Sequence, residues 1–161
     1  MTLVLYRVDD RLIHGQVVVG WGQPLDVAFI VLVDDEVAAS DWEQELYRMG
    51  VPPQVEVYFD SVESAARNLP RYQADPRRGM LLTGEIAPMR ALVARGGIPA
   101  VNVGGIHHRP GRHQKLRYVF LTEEESAALS DIAAQGVTVT AQDVPSARPV
   151  ALDDIIRGVG Q

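Results

Sequence analysis

The sequence predicts an open, mostly parallel α/β sheet of about seven strands, with helices on both faces. Three observations predict it. Aliphatic runs recur along the chain, and the clearest, Phe29-Ile30-Val31-Leu32-Val33, shows no polar alternation, as in a strand covered on both faces. Segments of helical period separate these runs. No repeat, low-complexity tract or linker breaks the alternation, so the 161 residues read as one domain over 1–161.

The elements follow in order. Residues 3–5 form a first apolar run, and Ile13, Val17 and Trp21 at i, i+4 and i+8 predict a short helix starting near His14. A strand over 27–33 comes next; Ala38, Trp42, Leu46 and Met49 then mark a helix that Gly50 stops, and both Trp21 and Trp42 are expected in the core. After a strand over 55–59, Asp60 and Glu63 resemble a capping box before Val62, Ala65, Ala66 and Leu69. The polar stretch 71–78 reads as an exposed loop before a strand over 80–82. Pro88 suits a first helical turn, with Met89, Leu92 and Val93 behind it and Gly96-Gly97 ending it. Strands over 100–103 and 116–121 precede a capping box of Thr122 and Glu125, a helix through Leu129 and Ile132, and a stop at Gly136. A strand over 137–140 and a short helix over 152–159 complete the pattern.

Composition narrows the function. Hydrophobic residues make up 47% and charged residues 22%, the balance of a globular chain. The absence of cysteine removes disulfides, thiolate metal sites and cysteine nucleophiles, and fits a cytoplasmic protein. No apolar run approaches the roughly 18 residues of a membrane helix and no signal-peptide pattern opens the chain, so any membrane role is expected to run through a partner. A net charge of −6 argues against nucleic acid. The local exception is the basic segment from His107 to Lys115, which contains no acid. No P-loop sequence is present, Asp34-Asp35 reads as a helix cap, and the spacing of His107, His108 and His113 does not suit zinc; no metal and no organic cofactor are expected.

The chemistry concentrates in Asp9-Asp10-Arg11-Leu12-Ile13-His14-Gly15-Gln16, directly after the first strand, where open α/β sheets bind ligands. A helix starting near His14 would aim N–H groups at an anion, Gly15 would let backbone approach, and Arg11 offers a planar fork of donors to phosphate. A neutral His14 has a ring lone pair to attack phosphorus. Asp9 or Asp10 would orient the ring by accepting its other N–H. The same residues also suit a surface ion pair and a histidine cap, and a generic small-molecule binder would bury His14 away from solvent.

From Arg7 to Val17 the chain resembles the IIB subunit of the mannose/fructose/sorbose family of the phosphoenolpyruvate-dependent sugar phosphotransferase system. The resemblance extends through Val33-Asp34-Asp35-Glu36-Val37-Ala38, Asn102-Val103-Gly104-Gly105, Leu121-Thr122-Glu123-Glu124-Glu125 and Gln142-Asp143-Val144-Pro145. It implies a phosphotransferase that takes a phosphoryl group from a IIA phosphohistidine. The group would be kept on His14, steadied by Arg11, and given to a hexose carried by the membrane proteins IIC and IID. It also implies a peripheral position at the membrane and self-association as a homodimer. The family topology puts the first strand between the fourth and fifth. That would bring Gly105, His107, His108 and Arg109 to the His14 loop as phosphate-binding or docking residues beside Gly15 and Gln16. Many members carry a basic residue after the fourth strand; here Thr83-Gly84-Glu85 stands there. Either the 107–115 loop supplies that charge, or the site grips phosphate less well and the chain is a regulatory phospho-acceptor that signals through a protein partner.

Overall fold

The structure is a computed structural model, and it describes residues 3–158. Seven strands form the main sheet in the order β3-β2-β4-β1-β5-β8-β9. These are β1 (Leu3–Val8), β2 (Phe29–Val33), β3 (Glu56–Asp60), β4 (Gly79–Thr83), β5 (Ala100–Val103), β8 (Thr138–Ala141) and β9 (Val150–Ala151). All pair in parallel except β9, which runs antiparallel along β8. The first strand lies between the fourth and fifth, as the resemblance implied.

Register positions the site. Val33 and Val8 both pair with Thr83, and Val8 also pairs with Val103, so four strands end at one level and their loops emerge side by side. The strands hold this level because both faces are buried. Every residue of β2 and of β4 is buried. Each such aliphatic side chain contributes roughly 1.5–3 kcal/mol.

One face of the sheet packs on α4 (Val62–Ala74), α5 (Ile86–Val93), α6 (Glu123–Ala134) and α7 (Leu152–Arg157), through residues such as Leu69, Met89, Leu129 and Ile155. The other face packs Ile30, Leu32, Met80 and Leu82 against Leu12, Ile13, Val17 and Val18. The terminal helix was expected to reach Val159, which lies outside the described residues.

Several expectations need correction. The helix near His14 is a single turn, α1 (Gly15–Val17), that widens into a π turn over Val18–Gly22. Consecutive valines with Gly20 and Gly22 are poor helix formers, so no long dipole points at the loop. After α2 (Asp35–Ala38), the helix α3 (Asp41–Met49) buries none of its residues; Trp42, Leu46 and Met49 are 72%, 54% and 82% exposed. Spacing predicted that face, but among the described residues nothing covers it. Trp21 is buried as expected.

Ser61, not Asp60, caps α4 by accepting from the Ser64 N–H, because Asp60 is still the last residue of β3. Residues 71–74 are helical rather than a loop. The helix continues past Pro70 because buried Leu69 and Tyr72 anchor both sides of it, and the Tyr72 hydroxyl donates to Asp60. The single strand expected over 116–121 is a hairpin of β6 (His113–Leu116) and β7 (Val119–Leu121), separate from the main sheet. The seventh strand of the main sheet is β9, too short to show periodicity.

Candidate active site

The loop after β1 is sewn to its neighbours. Its Asp9 N–H donates to Thr83 O at the end of β4, and the Asp10 N–H donates to Gly105 O beyond β5. The Leu12 N–H turns back to Asp9 O, with Leu12 in the left-handed region at φ 58°. A non-glycine residue there stores roughly 1–3 kcal/mol of strain, offset here because Leu12 buries its side chain in the core.

Asp9 is the centre of the site, and none of its side chain is exposed. Arg11 grips it twice, Nε to Oδ1 at 3.0 Å and Nη2 to Oδ2 at 2.9 Å, and the Arg11 backbone N–H adds a third bond to Oδ1. Arg7 Nη2 reaches Oδ2 from below at 3.2 Å. His14 Nε2 lies 4.0 Å from Oδ1, beyond hydrogen-bond range but well inside electrostatic reach. Burial alone would raise the Asp9 carboxyl, but the hydrogen bonds from Arg11 and the charges of Arg7 and Arg11 carry it below the ordinary range.

The imidazole is pushed the other way from a structural cation. Burial lowers the His14 pKa, the charge on Arg11 lowers it further, and Asp9 opposes them without prevailing. His14 is therefore neutral near pH 7, which is the form that can attack. Its side chain is 26% exposed, with Nε2 among the buried atoms, so the ring is neither sealed in the core nor free in solvent. A ring sealed from solvent, as a generic binder would have it, is not what is seen.

Between the two carboxylates left open by the sequence, Asp9 faces His14. Asp10 faces the other way and accepts from His107 N at 2.7 Å, with His107 Nδ1 2.6 Å from its other oxygen. His107 is thus brought to the loop by Asp10. Arg109 meets Glu85 at 3.2 Å, and exposed His108 sits edge-on to Phe120. Gly105 lies against Arg11: a Cβ there would be 3.1 Å from Nε. At Gly15 a Cβ would meet open space, so no crowding from the protein itself requires glycine; the Gln16 side chain lies outside the described residues.

Beside the loop opens a cleft of about 460 Å³, walled by Asp10, Asp34, Asp35, Glu36 and Glu85, with Arg109 on its rim. Asp34 caps α2 through the Val37 N–H, as expected. Among the described residues no three His, Asp or Glu side chains converge as a metal would need.

Sequence reasoning missed three residues. Arg7 is wholly buried in a strand, and its spacing of two from Asp9, which puts both side chains on one face, was the available signal. Gly104 makes room for it, since a Cβ there would fall 2.2 Å from Arg7 Nη2. Arg112 is nearly buried, forks onto Glu125 at 3.0 and 2.7 Å, and donates to His107 O, so it pins the 105–112 loop.

Comparison with known proteins agrees along the whole chain. A family model described as "PTS system sorbose subfamily IIB component" matches residues 3–160. The "PTS system mannose-specific EIIAB component" of Escherichia coli (strain K12) is 34% identical over 159 residues, 97% of this chain but 49% of that protein; the chain spans about half the length of this relative. The "N-acetylgalactosamine-specific phosphotransferase enzyme IIB component 2" of the same organism is 33% identical and is covered over 96% of its length. The crystal structure of the IIBSor domain of the sorbose permease from Klebsiella pneumoniae superposes with a TM-score of 0.88 at 29% identity, covering 99% of each chain.

Proposed function

The chain belongs to the sorbose-subfamily IIB components of the phosphotransferase system, and from that premise we propose that it is a phosphohistidine carrier in sugar uptake. The observation that carries the proposal is the arrangement of neutral, half-buried His14 beside Asp9 and Arg11 at the carboxyl end of the sheet. A phosphohistidine on a IIA protein supplies the phosphoryl group. The His14 ring nitrogen attacks phosphorus, the donor N–P bond breaks, and its electron pair returns to the donor ring nitrogen. Nε2 is buried toward Asp9, which supports Nδ1 over Nε2 as the attacking atom. Asp9 stabilises the positive charge that the ring gains, and Arg11 the negative charge of the phosphoryl oxygens. In the onward transfer a hydroxyl oxygen of a hexose presented by membrane IIC and IID proteins attacks phosphorus. The His14 N–P bond breaks with its electron pair returning to the ring nitrogen, and the hydroxyl proton passes to water, with the carrier working at the cytoplasmic side. No helix among the described residues is long and apolar enough to cross a membrane, in keeping with that division of labour.

The test is labelling. With the general phosphotransferase proteins, a matching IIA and labelled phosphoenolpyruvate, the chain is expected to take up label that His14→Ala loses. Equal labelling of the variant would overturn the proposal.

A second reading rests on Glu85. Many members of the family that the chain resembles carry a basic residue after the fourth strand; here Thr83-Gly84-Glu85 stands there, and Glu85 engages Arg109. In that reading phospho-His14 signals through a protein partner, and deletion of the chain leaves sugar uptake unchanged.

A further inference from the structure

Arg7 has no part in the transfer just described, yet, like Asp9, it exposes none of its side chain. Its Nη1 donates to the Asn102 side chain and to Gln142 O at 2.9 Å, its Nη2 to Asp143 O at 3.3 Å as well as to Asp9. The guanidinium lies 4.5 Å over the ring of Trp21, which itself donates to Asp143 O. No side-chain surface is exposed, and the missing Cβ of Gly104 is what lets the group fit. Such a cation cannot move without dismantling the ends of β5 and β8.

Arg11 contrasts with it. Its side chain is 28% exposed, and its backbone N–H bonds Asp9 independently of the guanidinium. The backbone bond would hold the loop on Asp9 if the guanidinium left it. One carboxylate thus has two cations, one enclosed and one partly exposed. Without the enclosed one, departure of Arg11 would leave Asp9 ionised and buried alone, which is strongly unfavourable. With it, Asp9 stays compensated and the mutual repulsion of the two guanidinium groups loosens Arg11.

We infer that Arg7 is a positioning residue: it is the permanent counter-ion of Asp9, and its presence releases Arg11 from Asp9 to the phosphoryl group arriving at His14. The inference rests on the carrier reading above. It assigns Arg7 a function that a purely structural arginine would lack, control over where Arg11 sits.

The experiment follows the arginine Nε–H groups by NMR in the full chain, before and after phosphorylation by the phosphotransferase proteins. In the wild type the Arg11 resonance is expected to move and the Arg7 resonance to stay. In Arg7→Met, the rate of labelling at saturating IIA is expected to fall about tenfold or more with the KM for IIA unchanged, and Arg11 is expected to stay on Asp9 in the fraction that becomes phosphorylated. Arg7→Lys, which keeps the charge, is expected to recover part of the rate. Wild-type labelling at a rate that Arg7→Met matches, or an Arg11 resonance that does not respond in labelled wild type, overturns the role of Arg7 alone. If Arg7→Met does not fold, the wild-type resonances decide. Absence of labelling in the wild type overturns the carrier reading, and this one with it.

Discussion

The two loops that meet at His14 handle charge in opposite ways. The end of β1 and the loop after it sink two of their charges: Arg7 and Asp9 expose no side-chain surface and pair with each other, and Arg7 also donates to Asn102 and to Gln142 O. The loop after β5 spreads its charges over the surface: His107 and Arg109 are 65% and 58% exposed, and their acids, Asp10 and Glu85, come from other loops. Buried charges are costly to unpair and so fix geometry; exposed pairs are worth little and can exchange partners. A carrier of the kind proposed, which must hold its nucleophile still while receiving successive large partners, would have use for both.

The sharpest way to break this contrast is Asp9→Ala. It leaves Arg7 buried without its carboxylate, and denaturant unfolding is expected to show a loss of about 3–5 kcal/mol. Arg112→Ala comes next. Arg112 is a buried anchor of the second loop, and losing its fork to Glu125 is expected to cost about 2 kcal/mol. Slower labelling of His14 in that variant would show that the loop serves the site. Glu85→Gln is expected to change stability by less than about 1 kcal/mol, with less effect still in high salt. A larger loss would mean that the exposed loop is built like the buried one.

The smallest effect is the titration of His14. Its folded pKa lies below the ordinary 6.5. The unfolded chain therefore takes up the proton first, so stability falls as pH drops through 6.5 and levels off below the folded value. The slope is expected to shrink in His14→Ala, measured by unfolding across that range. Labelling of the wild type is expected to fall off at a lower pH than for an ordinary imidazole, because burial and Arg11 keep the ring neutral further down.

Much of the fold was legible because burial on both faces writes itself as uninterrupted aliphatic residues, as in β2. Helix ends were legible where a cap is local, as at Thr122 with Glu125 and at Asp34. What was not legible depended on distant partners. The face of Trp42 has the same spacing as a core face, and periodicity does not say whether anything packs on it. The hairpin over 113–121 turns at Arg117-Tyr118 without the glycine or proline that would announce it. Within the site, the cluster of Asp9, Arg11 and His14 stood out by local density. The division of labour between Asp9 and Asp10 did not, since it is set by His107 nearly a hundred residues away. Arg7 lay beyond the apolar run expected over 3–5, and its partners at Asn102, Gln142 and Asp143 are far along the chain.

Glu125 belongs to two structures at once. It closes the capping box of α6 by accepting from the Thr122 N–H, and the same carboxylate receives Arg112, whose other nitrogen supports His107 O. The first turn of the helix and the loop beside the proposed phosphoryl site therefore share one bond network. Fraying of the helix start and lifting of the loop become a single opening event rather than two. A partner that presses on the loop thereby stiffens a helix it need not touch.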